Sequence, residues 1–175
     1  MAGRIEPAKG QALLIDALQR LQAPKVKALF IGDAMANEYL EQLQQEITDK
    51  GLASQVIFTG FVNNVQDLMA ISDCVVLATD KETFGMVLVE GMHTGTAVIA
   101  SNSGGPLEII EHQQDGLLFE SGDAQNLAKH LTYYIDNPVL RERFANAGKA
   151  TANLKFDSER QFNEVLGLLK SMNCK

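Results

Sequence analysis

Short apolar runs alternate with stretches of helical spacing along the whole chain. Residues 26–31 (VKALFI), 56–58 (VIF), 74–78 (CVVLA) and 97–100 (AVIA) are nearly unbroken apolar runs, the pattern of strands buried on both faces of a parallel sheet. Residues 117–119 (LLF) are a shorter candidate. Between these runs, Ala12, Leu13, Ala17, Leu18 and Leu21 fall on one helical face, as do Leu40, Leu43 and Ile47. Gly51 stops the second of these helices. Asp123 is placed as the cap of a helix running to about Ile135, which Asn137-Pro138 breaks. Two further helices, over residues 138–153 and 157–172, complete the pattern. Strand–helix–strand alternation with short connections predicts an α/β fold: a doubly wound, Rossmann-like parallel sheet with right-handed crossovers. No repeat, low-complexity tract or linker divides residues 1–175, which read as one domain.

The first residues fit this pattern only in part. Gly3-Arg4 reads as the turn that follows a strand, yet only Met1 and Ala2 stand before it. Two expectations follow: these residues are a stub of the first strand, or that strand was cut away with an upstream domain. The first strand of a doubly wound sheet is central, so its loss costs stability.

A length of 175 residues suits a single core, and 46% hydrophobic with 21% charged residues is ordinary for a soluble domain. No apolar run approaches the roughly 18–20 residues that span a bilayer, and no signal peptide is evident. Cys74 and Cys174 sit in unrelated contexts, which fits a reducing, cytoplasmic compartment. The net charge of −7 argues against nucleic acid as a partner. A small anionic ligand needs only a few local cations and stays open.

Ligands of such sheets bind beyond the carboxyl ends of the strands. The segments expected there are residues 3–10, 32–36, 60–64, 80–85 and 101–107. The sharpest is DKETFGMVLVE, residues 80–90. It leaves a buried strand and turns into a helix near Gly85, so the amides of Gly85, Met86 and Val87 form an anion site. Glu82 lies before that helix and Glu90 more than a turn inside it. Carboxylates repel phosphate but accept hydrogen bonds from hydroxyls, and two of them flanking a phosphate site match the layout ribose, diphosphate, sugar. The same spacing also fits an ordinary surface helix with acid near its start. In GRIEPAKGQ, Arg4 and Lys9 stand at the edge of the same cleft. Arg forks onto phosphate oxygens and Lys supplies a mobile charge, although both also fit a solvated loop. In SNSGGPLEIIE, residues 101–111, Gly104-Gly105 makes a flexible loop, Pro106 fits a first helical turn, and Glu108 faces ligand or solvent. His93, His112 and His130 show no metal-ligand spacing, and His93 fits either the cleft or a surface helix position.

Taken in order, these segments resemble the C-terminal domain of family 4 (group 1) glycosyltransferases of the GT-B fold. The resemblance runs from GRIEPAKGQALLIDAL through LFIGDA, VIFTGFV, DLMAISDCVVLAT, ETFGMVLVEGM and SGGPLEII to DGLLFESGD. Its most specific part is the pair Glu82 and Glu90, seven residues between them, with Phe84-Gly85 inside. The resemblance implies a retaining transferase of the hexosyl or mannosyl kind that uses a nucleotide-diphosphate sugar and needs neither metal nor cofactor. It implies Arg4 and Lys9 on the donor diphosphate, Glu82 on the donor sugar, and Glu90 on the ribose hydroxyls. The amides of Phe84, Gly85, Met86 and Val87 would cradle sugar and phosphate, and the backbone of Phe61 and Val62 would read the base. GDP-mannose and UDP-sugars are the donors it suggests, and envelope polysaccharide such as lipopolysaccharide core is the product. The glycan or glycolipid acceptor belongs to an N-terminal domain lying outside this chain, so residues 1–175 are expected to bind nucleotide without transferring sugar. Any attachment to the inner face of the membrane would reside in that other half. Ala78-Thr79, Gly91 and Ala97 depart from the family's common Pro-Ser, Ala and Pro, which touches loop geometry more than ligand contact. A non-catalytic nucleotide-binding or scaffold domain of the same fold is the alternative. A dinucleotide oxidoreductase is disfavoured because Gly3 and Gly10 have the wrong spacing for its phosphate fingerprint.

Overall fold

In a computed structural model, which describes residues 1–172, the apolar runs form two parallel sheets with helices on both faces. After a single 3₁₀ turn, Pro7–Lys9, the elements are α1 (Gln11–Leu21), β1 (Ala28–Ile31), α2 (Asn37–Asp49), β2 (Val56–Gly60) and α3 (Val65–Ala70). There follow β3 (Cys74–Leu77), α4 (Met86–Thr94), β4 (Ala97–Ser101), α5 (Pro106–Ile109) and β5 (Leu117–Phe119). The helices α6 (Ala124–Asp136), α7 (Pro138–Lys155) and α8 (Ser158–Met172) complete the order. β1 pairs with β2, and β3, β4 and β5 pair in sequence, all parallel. Cys174 lies outside the described residues.

The central strands β3 and β4 are continuous apolar runs because helices cover both of their faces, whereas β2 leaves Ile57 exposed. Val76, Ala97 and Ile99 point into one core with Ile15, Leu43, Leu127 and Phe144 from α1, α2, α6 and α7. Val75, Leu77, Val98 and Ala100 point into the other, against Leu88, Met92 and Ile109 from α4 and α5. This period-two division within β3 and β4 makes both sides of the sheet dry.

Local chemistry sets the helix ends. The Asp123 carboxylate accepts hydrogen bonds from the amides of Gln125 and Asn126 at 2.8 and 2.9 Å, capping α6 as its sequence implies. At the end of α2, Gly51 takes φ +70° and the amide of Leu52 reaches back to the Ile47 carbonyl at 2.8 Å, the bond that closes a left-handed helix terminus. α3 lacked a signal in the apolar pattern, because Met69 is its single buried residue. α8 forms where helical spacing placed it, but Phe162, Val165, Leu168 and Leu169 all stay more than half exposed.

The first residues run alongside β1. Ala2 bridges Ile31 in parallel and Ile5 bridges Ala34, on the edge of β1 away from β2. The chain then turns at Gly3 and runs across the carboxyl ends of the strands into α1.

Candidate functional site

Four connecting loops meet at the carboxyl ends of the strands, and close backbone approaches lock them together. Gly10 is both the end of the 3₁₀ turn and the cap of α1, with φ +75°. A Cβ built on it would stand 2.2 Å from the Ala78 carbonyl oxygen, so this junction presses directly on the end of β3. Gly105 gives its amide to the Glu82 carbonyl at 3.0 Å. Cβ atoms at Gly104 and Gly105 would fall 2.1 Å from the backbone oxygens of Glu82 and Phe84. Serines tie the same two loops further: Ser101 Oγ donates to the Thr79 carbonyl at 2.6 Å, and Ser103 Oγ to the carbonyl of Asp80. Ser121 Oγ reaches the Asp80 carboxylate at 2.7 Å. The segment that carries Glu82 is therefore held from one side by residues 101–105 and from another by the start of α1.

Within this frame Lys9 Nζ lies 3.2 Å from Glu82 Oε2, although 73 positions separate the two residues in sequence. Their side chains are 27% and 16% exposed, a partly desolvated pair at the mouth of the cleft. The Glu82 side chain in turn lies over the start of α4, its Cγ 3.6 Å from where a Cβ on Gly85 would stand. Gly85 has φ +101°, and no side chain caps α4. The first helical bond runs from the Leu88 amide to the Gly85 carbonyl, so the amides of Gly85, Met86 and Val87 are left for solvent or ligand. A lysine ammonium, a row of free amides and the positive end of a helix dipole thus share one corner, an arrangement suited to phosphate.

The other expected residues lie in the loop before α1, in the loop after β2 and within α4. Arg4 is 61% exposed and pairs with Glu6 at 3.1 Å. Its carbonyl accepts from Gln11 Nε2 at 2.8 Å, which ties its loop to the first turn of α1. Glu90 lies within α4, half-buried, and burial pushes its carboxyl above the usual carboxylate range. Its side chain has no hydrogen bond or ion pair among the described residues. Phe61 and Val62 follow β2, and the ring of Phe61 is 72% exposed. The Phe61 amide donates to Asp33 Oδ1 at 3.0 Å, so Asp33 fixes the path of this segment. Phe84, beside Gly85, packs edge-on against Phe156 at 5.9 Å between ring centroids.

Asp33 and the three serines were not singled out in the sequence, and Gly104-Gly105, expected as a flexible loop, is instead locked against the backbone of Glu82 and Phe84. The pair Gly104-Gly105 carried a signal, since two adjacent glycines mark a close backbone approach, whereas nothing local distinguishes Ser121 or Asp33. Glu108 is exposed. His93 turns from the cleft to α7, where its Nδ1 meets Asn153 Oδ1 at 3.0 Å. His112 and His130 bracket the backbone of Leu118. Among the described residues no cluster of His, Cys, Asp or Glu is arranged to hold a metal ion.

The profile of the family "Glycosyl transferases group 1" matches residues 1–151. The lipopolysaccharide core biosynthesis glycosyltransferase LpsD of Rhizobium meliloti is 33% identical over 157 residues, covering 90% of this chain and 44% of that protein. The crystal structure of Anabaena Alr3699/HepE in complex with UDP superimposes with a TM-score of 0.94 at 35% identity, covering 97% of this chain and 47% of the other. The C-terminal domain of a glycosyl transferase group 1 family protein, LpcC of Francisella tularensis, gives a TM-score of 0.83 at 31% identity, covering 90% of this chain and 84% of that one. The chain thus spans about half the length of the first two proteins and most of the third.

Proposed function

We propose, from the premise that this chain belongs to the glycosyl transferases group 1 family and has the fold of a GT-B C-terminal domain, that its cleft holds the nucleotide diphosphate of a sugar donor. The observation that carries this reading is the corner formed by Lys9, Glu82 and the uncapped start of α4. The whole protein, on the same reading, transfers the sugar to a glycan or glycolipid with retention of configuration. The names of its relatives favour the lipopolysaccharide core as the acceptor class and UDP as the nucleotide. No described helix is long and apolar enough to cross a membrane, and we place the site in the cytoplasm, where nucleotide-sugars are made.

The roles follow from charge. Lys9 leaves Glu82 for the diphosphate, because a diphosphate bearing two charges attracts it more strongly than a single carboxylate does. Glu82, released, accepts hydrogen bonds from the donor sugar hydroxyls. Arg4, exposed and within the same loop, adds a second cation. As the bond between sugar and phosphate lengthens, negative charge builds on the leaving diphosphate, and fixed amides and cations stabilise it without reorganising. Glu90 receives the ribose hydroxyls, which gives its unpartnered carboxylate the donors it lacks.

Calorimetry of the 175-residue chain with UDP, GDP and ADP, and with UDP-glucose and GDP-mannose, tests the assignment. Saturable binding of one nucleotide and its sugar is the expected result. A folded chain that takes up none of them at millimolar concentration overturns it.

Glu90 gives a second expectation, with a definite sign. Its carboxyl titrates above the ordinary range because burial disfavours the charge. Ribose hydroxyls favour the ionised form, so nucleotide binding releases a proton and affinity falls as pH drops through the raised value. Glu90→Gln is expected to weaken nucleotide binding by roughly tenfold or more, the loss of hydrogen bonds to a charged group, and to flatten that pH dependence. Because the folded value lies above the unfolded one, ionised Glu90 costs stability at neutral pH and costs nothing below both values. The same variant therefore melts higher than the parent at pH 7 and equal to it in acid. Thermal melting at both pH values, beside calorimetry, checks the two effects.

A further inference from the structure

The loop before α1 carries two cations, and each of them is already held by a carboxylate. Lys9 pairs with Glu82 and Arg4 with Glu6, so these four side chains together bear no net charge. A bound donor acts differently on the two pairs. On the reading above, Glu82 turns to the sugar hydroxyls when Lys9 leaves it. Glu6 has no such substitute, and none of the preceding chemistry uses it.

Local structure makes Glu6 the fixed member of its pair. Ile5, just before it, is 2% exposed. The Ile5 amide donates to the Asp33 carbonyl at 2.9 Å, and its carbonyl accepts from the Met35 amide at 3.1 Å. Pro7, just after it, opens the 3₁₀ turn with a restricted φ, and the Lys9 amide returns to the Glu6 carbonyl at 3.0 Å. A carboxylate before a helical turn is favourably placed for the turn's free amides. The Glu6 side chain leaves that turn uncapped and meets Arg4 Nη2 at 3.1 Å instead. It is 21% exposed, against 61% for Arg4. The Arg4 backbone is tied down by Gln11, so the guanidinium is the part of this pair that is free to swing.

We propose that Glu6 is a positioning residue that acts through Arg4: it keeps this cation partly neutralised, and so weakens the cleft's hold on the nucleotide product more than its hold on the sugar donor. The inference rests on the donor-site reading above. The terminal phosphate of a nucleoside diphosphate carries about 1.5–2 negative charges at neutral pH, whereas the same phosphate esterified to a sugar keeps a single one. An Arg4 freed from Glu6 therefore favours the product, by Coulomb attraction alone. With Glu6 in place, every phosphate must draw Arg4 away from a carboxylate that cannot follow it, and must then lie beside that uncompensated carboxylate. The second cost rises with the charge of the ligand, so Glu6 shifts selectivity from product toward donor and speeds the departure of the spent nucleotide.

The test is calorimetry at low ionic strength with UDP and with UDP-glucose. The proteins are the 175-residue chain, Glu6→Gln, Arg4→Gln and the double variant, each confirmed as folded by a cooperative melt. Glu6→Gln keeps the shape of the side chain and is expected to tighten UDP by about fivefold and UDP-glucose by about twofold, the scale of a partly exposed ion pair. Added salt should shrink both gains. In the Arg4→Gln background the same change should tighten UDP by only about twofold, since relief of repulsion is all that remains. The proposal is overturned, with the donor site left standing, if Glu6→Gln binds UDP no more tightly than the parent. Equal gains with and without Arg4, or equal gains for UDP and UDP-glucose, would overturn it as well. A parent chain that binds neither ligand strikes the donor site itself and this proposal with it.

Discussion

Lys9→Ala is expected to weaken binding of UDP to this chain by roughly 100-fold, while the folded state keeps its melting temperature within a few degrees. The estimate follows from the cost of removing a charged hydrogen bond from a partly desolvated phosphate site, about 2–3 kcal/mol. Lys9 is bound to Glu82 at 3.2 Å, with both side chains mostly shielded from water. Losing it strips the diphosphate of its nearest cation and also leaves the Glu82 carboxylate facing that phosphate. Lys9→Arg keeps the charge and should recover part of the affinity, although the guanidinium is longer and planar. Glu82→Gln separates the two effects. It removes the competitor for Lys9 and so leaves UDP affinity equal or higher, but it weakens the nucleotide-sugar relative to UDP. Calorimetry on the three variants reads each ratio. Equal affinities for UDP in the parent and in Lys9→Ala would remove Lys9 from the phosphate site.

Gly10→Ala carries the largest expected cost in stability. The new Cβ would stand 2.2 Å from the Ala78 oxygen and 2.8 Å from its carbon, both backbone atoms that cannot rotate aside. Gly10 also holds φ +75°, where a side chain is strained. The combined effect is roughly 3 kcal/mol or more, about 6–12 °C in melting temperature for a domain of this size. Gly51→Ala is the matched control. It has a similar φ, +70°, and nothing within 4 Å of the added atom, so only the conformational part remains, about 1 kcal/mol. A Gly10 variant that melts no lower than the Gly51 variant would show that the junction of α1 with β3 yields easily.

Both expectations rest on contacts that the sequence discloses unevenly. β1, β3 and β4 were legible because they are dry on both faces and therefore nearly unbroken apolar runs, whereas β2, with Ile57 exposed, and the three-residue β5 gave shorter signals. α1, α2 and α6 were legible because each buries one stripe, and Gly51 after α2 and Asp123 before α6 are recognisable end signals. α3 was not, since a helix of six residues with Met69 alone buried leaves no stripe to read. The corner proposed for phosphate was legible in its parts: a glycine before a helix, a lysine in a glycine-bounded loop, a glutamate between them. Its assembly was not, because the distance between Lys9 and Glu82 depends on Gly10 meeting Ala78 and on Gly105 meeting Phe84, contacts between segments far apart in the chain. Pairing of the expected phosphate cation with the expected sugar-binding carboxylate is likewise a property of the folded cleft. The exposed apolar face of α8 has the same character: the sequence placed a helix over residues 157–172, and only the fold shows Phe162, Val165 and Leu168 uncovered.

The central claim is that a diphosphate sits on the first amides of α4 beside Lys9. Amide chemical shifts of the ¹⁵N-labelled chain, followed through a titration with UDP, test it most directly. The account predicts that the largest changes fall at Gly85, Met86 and Val87, with Gly10 and Gly105 next, and that Lys9→Ala removes them together. Changes centred on β1 and β3, with Gly85, Met86 and Val87 unmoved at saturation, would contradict it.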